Sequence, residues 1–197
     1  MSVKSIMIVG VGGQGTLLTS RLLGKALMSQ GYDVKVSEVH GMSQRGGAVV
    51  TYVKYGEKVS SPIVEKGEAD LIIAFEPLEA TRWLEYLKPG GEMIVNTQQI
   101  DPMPVVTGAV EYPEDVIEKL QATGAFITPI DALPIAEEIG SVKIVNVVLV
   151  GAMAGCMDLP LDIWRKSIKE TVPEKFIEMN LKAFDAGYGI KTCLIEE

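Results

Sequence analysis

Cysteine and histidine are scarce in this 197-residue chain, which contains two cysteines and one histidine. Cys156 and Cys193 are too few for a four-cysteine iron–sulfur cluster or for a zinc site within one chain. Two thiols far apart in sequence are typical of a reduced cytosolic protein rather than of a secreted protein stapled by disulfides. The sequence therefore predicts a cytoplasmic protein without a metal of its own.

Positive charge is also in deficit, with 18 Lys and Arg against 26 Asp and Glu and a net charge of −8. An acidic chain does not attract phosphate backbones, so we expect no nucleic-acid partner. The longest apolar run, residues 144–157, is interrupted by Asn146 and is too short to span a bilayer. The first residues lead directly into a strand pattern without the features of a signal peptide, so we expect no membrane partner.

Strand and helix patterns alternate over the first half of the chain, and helices dominate the end. Hydrophobic residues make up 47% of the sequence, which suits a globular domain with a sizeable core. We predict an α/β fold with a Rossmann-like, mostly parallel sheet, one antiparallel pair, flanking helices and a helical C-terminal part. Since neither a repeat nor a linker is evident, residues 1–197 are predicted to form a single domain.

Apolar runs and helical spacing locate the individual elements. Strands are predicted over residues 5–9, 34–39, 48–55, 69–75, 92–95, 105–110 and 125–128. Helices are predicted over residues 16–29, 78–87, 113–122, 132–139, 144–156, 161–171 and 173–186. The second and third strands are joined by a glycine-rich loop without a helix, which predicts that these two strands pair antiparallel.

The first candidate site is a G-x-G-x-x-G motif between the first strand and the first helix, the context that this motif requires. Gly10 permits a tight turn, Gly12 a close approach by a ligand or another backbone, and Gly15 tight packing of helix against strand. The free N–H groups at the helix start suit a phosphate. Gln14, which follows Gly13, is not explained by phosphate binding, and its amide could instead contact a protein partner.

Two interpretations of this loop stay open. The glycines could form only a tight strand-to-helix turn. Alternatively they could bind a dinucleotide, with Glu38 at the end of the second strand in the place of a ribose-binding acid. A dinucleotide enzyme would need a substrate-binding half, which this chain lacks, and the antiparallel pair departs from the usual dinucleotide-binding topology.

The second candidate site is the segment 37–47, Ser-Glu-Val-His-Gly-Met-Ser-Gln-Arg-Gly-Gly, which follows the second strand. His40 and Arg45 are the candidates for a catalytic role, with a structural histidine and a surface arginine as the alternatives. The candidates here for binding a cofactor or a partner are Gly41, Ser43, Gln44, Gly46 and Gly47.

Glu76 and Asn96 each follow a further predicted strand. If the preceding strands are parallel, both side chains share one sheet edge with the two glycine-rich loops, where ligands bind in open α/β sheets. Glu76 is also explained as the cap of a helix that begins at Pro77, and Asn96 as a turn residue. Asn146 is interpreted as a satisfied buried amide, and Gly151 and Gly155, four residues apart, as sites of close helix packing.

Three stretches together, residues 10–15, 37–47 and 69–80, resemble the gamma-type subunit of 2-oxoacid:ferredoxin oxidoreductases. The likeness runs in order over nearly the whole chain and includes residues 146–152. The His-Gly-Met-Ser-Gln-Arg-Gly-Gly version of the second loop is most similar to the indolepyruvate branch of that family. The three stretches together are specific, whereas the glycine loop alone is not.

The resemblance implies a division of labour between subunits. In such enzymes thiamine diphosphate and iron–sulfur clusters belong to other subunits or domains, and the complex decarboxylates a 2-oxoacid, forms the acyl-CoA and passes two electrons to ferredoxin. The indolepyruvate branch implies aryl pyruvates as substrates. This chain would bind no cofactor alone, and it lacks a Gly-Asp-Gly segment followed by an Asn at thiamine-motif spacing.

The resemblance also implies a large alpha subunit as the partner, which carries the thiamine and the iron–sulfur clusters. The two glycine-rich loops would face this subunit near the active site, close to the co-substrate CoA. Two other classes stay open from the residues alone: a stand-alone Rossmann-type NAD(P)-binding oxidoreductase and a nucleotide-sensing module.

Overall fold

A computed structural model describes residues 2–41 and 47–190 of the chain. The strands are β1 Lys4–Val11, β2 Asp33–His40, β3 Ala48–Gly56, β4 Ala69–Ala74, β5 Leu87–Asn96 and β6 Phe126–Ile130. The helices are α1 Thr16–Ser29, α2 Pro77–Trp83, α3 Met103–Val106, α4 Val116–Gln121, α5 Ala132–Ile139, α6 Val145–Gly155, α7 Leu161–Thr171 and α8 Ile177–Tyr188.

The six described strands form one sheet in the order β2-β3-β1-β4-β5-β6. Strands β1, β4, β5 and β6 are parallel, and β3 is antiparallel to both β1 and β2. Strand β2 therefore runs in the same direction as β1. The predicted fold, a mostly parallel sheet with an antiparallel pair, is confirmed. Strands β2 and β3 pair antiparallel because the link between them is too short for the crossover that a parallel pair needs.

Both faces of the central strand β1 are buried, because helices cover the middle of the sheet on each side, whereas the edge strand β2 is only partly covered. In β1, Ile6 and Ile8 face the core shared with α1 and with α5 to α8, whereas Met7 and Val9 face the core shared with α2 and α4. All four side chains are at most 2% exposed. This explains why β1 has a continuous apolar run rather than alternating polarity.

Close packing of α6 against α8 depends on two glycines. A Cβ atom on Gly151 would lie 2.1 Å from the carbonyl oxygen of Phe184, and a Cβ on Gly187 would lie 1.9 Å from the carbonyl oxygen of Val148. Neither contact can be accommodated without a backbone shift. The prediction of close helix packing at Gly151 is confirmed.

Several bounds differ from the prediction: α2 ends at Trp83 rather than at residue 87, α4 begins at Val116 rather than at residue 113, and α8 begins at Ile177 rather than at residue 173. Strand β5 begins at Leu87 rather than at residue 92, because Leu87 pairs with Ala69 and the register then shifts before Glu92. The strand predicted over residues 105–110 is wrong, since Val105 and Val106 belong to α3 and residues 107–110 form turns and bends. The amide of Val106 bonds to the carbonyl of Pro102, and prolines start helices well because they fix the backbone torsion.

The expectation of reduced thiols is wrong for Cys156, which is disulfide-bonded. Cys156 lies just after α6 and is only partly buried. The scarcity of cysteine indicates a reducing environment only statistically, so it does not exclude a disulfide at Cys156.

Candidate functional site

The glycine loop connects the end of β1 to the start of α1 and lies beside the second glycine-rich segment. The amide of Gly12 donates to the carbonyl of Gly47 at 2.9 Å. Gly13 and Gly15 have φ angles of +98° and +86°, a backbone region that disfavours residues with side chains. The two sequence-predicted loops therefore meet at the carboxyl edge of the sheet.

Gln14 ties this loop to the neighbouring strand. Its side-chain oxygen accepts a hydrogen bond from the amide of Val11 at 2.8 Å, and its Nε2 donates to the carbonyl of Phe75 at 2.8 Å. A Cβ on Gly10 would lie 2.8 Å from the same Gln14 oxygen, so the bare glycine makes room for the bridge. These hydrogen bonds within the chain give the Gln14 amide a structural role, which phosphate binding does not provide.

Asn96 is a buried cross-link rather than a surface group. Its side chain is 0% exposed, its Nδ2 donates to the carbonyl of Phe75 at 3.2 Å, and its Oδ1 accepts from the amide of Ala132 at 3.3 Å. The side chain therefore joins the end of β5 to the end of β4 and to the start of α5. The prediction that Asn96 lies at this edge is correct, and its side chain is hydrogen-bonded within the chain; its role in binding a cofactor or a partner stays a prediction.

Glu76 caps α2, as the sequence indicates. It is 1% exposed, and its Oε2 accepts a hydrogen bond from the amide of Glu79 at 3.1 Å. Its Oε1 accepts from the amide of Ile100 at 3.4 Å and from the hydroxyl of Tyr112. Burial raises the pKa of Tyr112, and the bond to the carboxylate raises it further. Glu76 thus stabilises the connection between β5 and α4, and its role in binding a cofactor or a partner stays a prediction.

Glu79 was not singled out by the sequence, although it also lies at this edge. Its side chain is 5% exposed, its Oε1 lies 3.3 Å from the Nε of Arg82, and its Oε2 has no hydrogen-bond partner among the described residues. Burial raises the pKa of Glu79, and the Arg82 charge opposes this shift. Glu76, Glu79 and Arg82 line a cavity of about 70 Å³. The sequence signal that could have identified Glu79 is its position three residues after Glu76, the acid that caps α2.

Glu38 and His40 lie on the same side of β2, because side chains two apart share a face. The Nε2 of His40 is 2.6 Å from one oxygen of Glu38, and the hydroxyl of Thr51 donates to the other at 3.1 Å. The His40 side chain is 60% exposed and that of Glu38 is 16% exposed. Both Glu38 oxygens are therefore engaged within the chain, which disfavours a ribose-binding role.

The remaining candidates of this segment, Ser43, Gln44, Arg45 and Gly46, lie outside the described residues. Their roles stay predictions. Gly41 directly follows β2, and its amide donates to the carbonyl of Ala48 at 2.9 Å.

The N-terminus of α1 has open backbone donors. Its capping residue, Gly15, offers no side chain to cap the helix, and the first turn contains no acidic residue. Gly13 is exposed, and a Cβ built on it would have no atom within 4 Å among the described residues. Uncapped N–H groups and the helix dipole favour an anion.

Asn146 of α6 packs beneath this helix start. Its Nδ2 donates to the carbonyl of Gly15 at 3.4 Å. Its Oδ1 is buried without a hydrogen-bond partner within the described ranges. The prediction of a buried amide is correct, but only the nitrogen is satisfied.

Two further properties concern metals and membranes. Among residues 2–41 and 47–190, no three His, Cys, Asp or Glu side chains are grouped so that they could hold a metal ion. Within the same ranges, every helix is too short or too polar to cross a membrane.

Comparison with known proteins gives consistent matches along the chain. Residues 5–190 match the family model for pyruvate ferredoxin/flavodoxin oxidoreductase. The indolepyruvate oxidoreductase subunit IorB of Pyrococcus horikoshii is 43% identical over 193 residues, which are 95% of this chain and 95% of that protein.

Solved structures share the fold at lower identity. The pyruvate oxidoreductase subunit PORC of Thermotoga maritima has a TM-score of 0.74 and 21% identity over 95% of this chain and 96% of that chain. The 2-oxoglutarate:ferredoxin oxidoreductase of Magnetococcus marinus, solved with 2-oxoglutarate, coenzyme A and succinyl-CoA bound, has a TM-score of 0.74 and 20% identity. The match covers 98% of this chain but only 32% of that larger chain. The chain belongs to the pyruvate ferredoxin/flavodoxin oxidoreductase family.

Proposed function

We propose that this chain is the small, beta-type subunit of a cytoplasmic indolepyruvate ferredoxin oxidoreductase. With a large alpha subunit it serves the conversion of aryl pyruvates and CoA to aryl-acetyl-CoA and CO₂, in which two electrons pass to ferredoxin. The observation that carries this proposal is the 43% identity to an indolepyruvate oxidoreductase subunit across 95% of both chains.

The chemistry of the carboxyl edge supports a subunit rather than a stand-alone enzyme. Gln14, Glu76 and Asn96 are committed to internal hydrogen bonds, and the latter two are buried. The described part of the edge therefore offers mainly bare backbone at the glycine loop, together with the exposed ring of His40. Bare backbone permits the close approach of a ligand or of a partner surface.

The thiamine diphosphate and the iron–sulfur clusters of the complex reside on the alpha subunit in this proposal. A chain with two cysteines, of which Cys156 is disulfide-bonded, cannot supply the four thiolates of a typical cluster. Thiamine diphosphate, when bound on the partner, supplies the stabilised carbanion that decarboxylation requires. This chain contributes one wall of the shared site.

The open helix start at Gly15 is the part of this wall best suited to CoA. Its uncapped N–H groups fit a phosphate group of the co-substrate. A dinucleotide is less favoured at the same place, because the Glu38 carboxylate is already paired with Thr51 and His40. The glycine loop then serves an acyl-CoA-forming complex rather than an NAD(P) enzyme.

Co-purification and turnover test the proposal. The chain, co-expressed with a large thiamine- and iron–sulfur-containing subunit, should form a stable complex that reduces viologen dye when given indolepyruvate and CoA. The isolated chain should be inactive and should show no heat of binding with NADH or NADPH. Turnover by the purified chain alone, or tight dinucleotide binding, would refute the subunit assignment.

A further inference from the structure

The connection between β5 and α4 exposes an apolar surface without any charge. Residues 102–110, Pro-Met-Pro-Val-Val-Thr-Gly-Ala-Val, contain no ionisable side chain, although 22% of the chain is charged. Met103, Val106 and Val110 are 60%, 63% and 56% exposed. Single exposed apolar side chains are ordinary, but three within eight residues form a patch that calls for a partner. We call residues 102–110 the apolar knob.

The apolar knob is ordered by its own backbone and not by its apolar side chains. The amide of Val106 bonds to the carbonyl of Pro102 at 3.0 Å, and the amide of Ala109 bonds to that of Pro104 at 2.9 Å. Both flanks are held by Glu76, through the amide of Ile100 and the hydroxyl of Tyr112. The exposed side chains are therefore presented on a preorganised frame, which lowers the entropic cost of binding.

An acidic groove lies beside the apolar knob. It has a volume of about 850 Å³, and the residues that line it include Glu114, Asp115 and Glu118 but no lysine or arginine. Tyr112, whose hydroxyl anchors the knob to Glu76, lines the same groove. Tyr112 thus links the knob, which exposes apolar side chains, to the groove, which is lined by acidic ones.

This surface adjoins the carboxyl edge of the sheet. Pro102, the first residue of the knob, and Ile100, two residues before it, line the small cavity together with Val11 and Ala48, which adjoin the two glycine-rich loops. A protein that covers the knob would therefore also reach the glycine loop.

We propose that the apolar knob and the acidic groove form the docking surface for the large subunit, which presents an apolar recess bordered by lysine and arginine side chains. The inference rests on the proposed function and adds the place of contact to it. Apolar contact at the centre supplies affinity, and opposite charge at the border supplies orientation and speed of association.

Charged substitutions in the knob test the apolar part. Val106→Asp should weaken binding of the purified large subunit by about tenfold, and Val106→Asp with Val110→Asp by about a hundredfold, measured by calorimetry. The matched control is Ile63→Asp. Ile63 is 50% exposed and lies between β3 and β4 at the opposite edge of the sheet, so its affinity change should stay below about twofold.

Charge reversal tests the groove. The double variant Glu114→Lys/Glu118→Lys should lower the association rate by about tenfold at low ionic strength and flatten its dependence on salt. The control is Glu137→Lys, which makes the same charge change at one exposed site on α5. It should leave the association rate and its salt dependence close to those of the wild type. All variants should keep the unfolding temperature of the isolated chain, because the substituted side chains are exposed.

The outcomes separate the docking surface from the proposed function. Wild-type affinity and wild-type viologen reduction in the Val106→Asp/Val110→Asp complex would overturn the docking surface while leaving the function intact. An isolated wild-type chain that sediments as a dimer, and as a monomer once it carries Val106→Asp, would instead assign the surface to a second copy. Failure of the wild-type chain to bind any thiamine-containing subunit would reject the proposed function, and the docking surface with it.

Discussion

The hydroxyl of Tyr112 donates a hydrogen bond to the Oε1 of Glu76, 36 residues earlier in the chain. The same carboxylate caps α2 through the amide of Glu79 and accepts the amide of Ile100. One buried carboxylate therefore fixes a helix start and both flanks of the exposed apolar knob. The placement of the proposed docking surface depends on this single anchor.

Removing the Tyr112 hydroxyl should loosen the knob without unfolding the sheet. Tyr112→Phe is expected to lower the free energy of unfolding by about 1.5 kcal/mol, the typical loss of a hydrogen bond to a charged group. Limited proteolysis within residues 103–111 should accelerate at the same time. Tyr188→Phe, on the 39% exposed Tyr188 at the end of α8, is the control. Unchanged proteolysis in Tyr112→Phe would show that the anchor does not order the knob.

Glu79 should make stability depend on pH in the acidic range. Burial raises the pKa of this carboxyl in the folded chain, so its protonated form is favoured by folding. A raised pKa contributes stability that is fully present below the unfolded value, near 4.5, and is lost as the pH rises through the folded value. The charged Glu79 carboxylate should therefore lower the free energy of unfolding of the wild type at pH 7, whereas an uncharged residue would not.

Glu79→Gln tests this sign. We expect the variant to be more stable than the wild type at pH 7 by up to about 1 kcal/mol, because the pairing with Arg82 offsets part of the gain. The difference should shrink as the pH falls from the folded pKa of Glu79 towards 4.5 and should vanish below that value, where the wild type is neutral in both the folded and the unfolded state. Urea unfolding at pH 4 and pH 7 measures both, with Glu137→Gln as the exposed control. A marked loss of stability at pH 7 would mean that the Arg82 pair outweighs burial.

Gly15 and Asn146 should be coupled energetically. An added Cβ on Gly15 would lie 2.6 Å from the Nδ2 of Asn146, and the positive φ adds backbone strain. Gly15→Ala is expected to cost at least about 3 kcal/mol alone but only about 1–2 kcal/mol in the presence of Asn146→Ala. Gly13→Ala has the same sign of φ with open space around it, so it should show the strain alone. A double-mutant cycle without coupling would contradict the close contact.

Local signals explain which elements the sequence predicts well. Helix α1 was predicted with its observed bounds because Leu22 and Ala26 face the core at helical spacing and Gly31 follows with a left-handed φ. The antiparallel pair follows from the short link between β2 and β3. The start of β5 could not be predicted, because it depends on the pairing of Leu87 with Ala69, a contact between distant residues.

The features of the site also divide into those that local sequence predicts and those that depend on contacts between distant residues. The meeting of the glycine-rich loops and the capping role of Glu76 follow from strand direction and from the Pro77 that comes next. The burial of Asn96 and the use of Gln14 do not follow, since both bond to the carbonyl of Phe75, just after the end of β4. Sequence can place a polar residue at a sheet edge, but its accessibility depends on which main-chain groups lie within reach there.

The crossing of α6 and α8 should be the least tolerant packing contact outside the sheet. Gly151→Ala places a Cβ 2.1 Å from a main-chain oxygen, so the helices must separate and the core between them must open. The expected loss of about 3 kcal/mol or more, measured by urea unfolding or seen as loss of soluble protein, exceeds that of an ordinary core substitution. Gly24→Ala is the matched control, because Gly24 is helical with no atom within 4 Å of its built Cβ. It should instead stabilise the chain by about 0.5–1 kcal/mol through helix propensity, and equal losses in both variants would refute the packing argument.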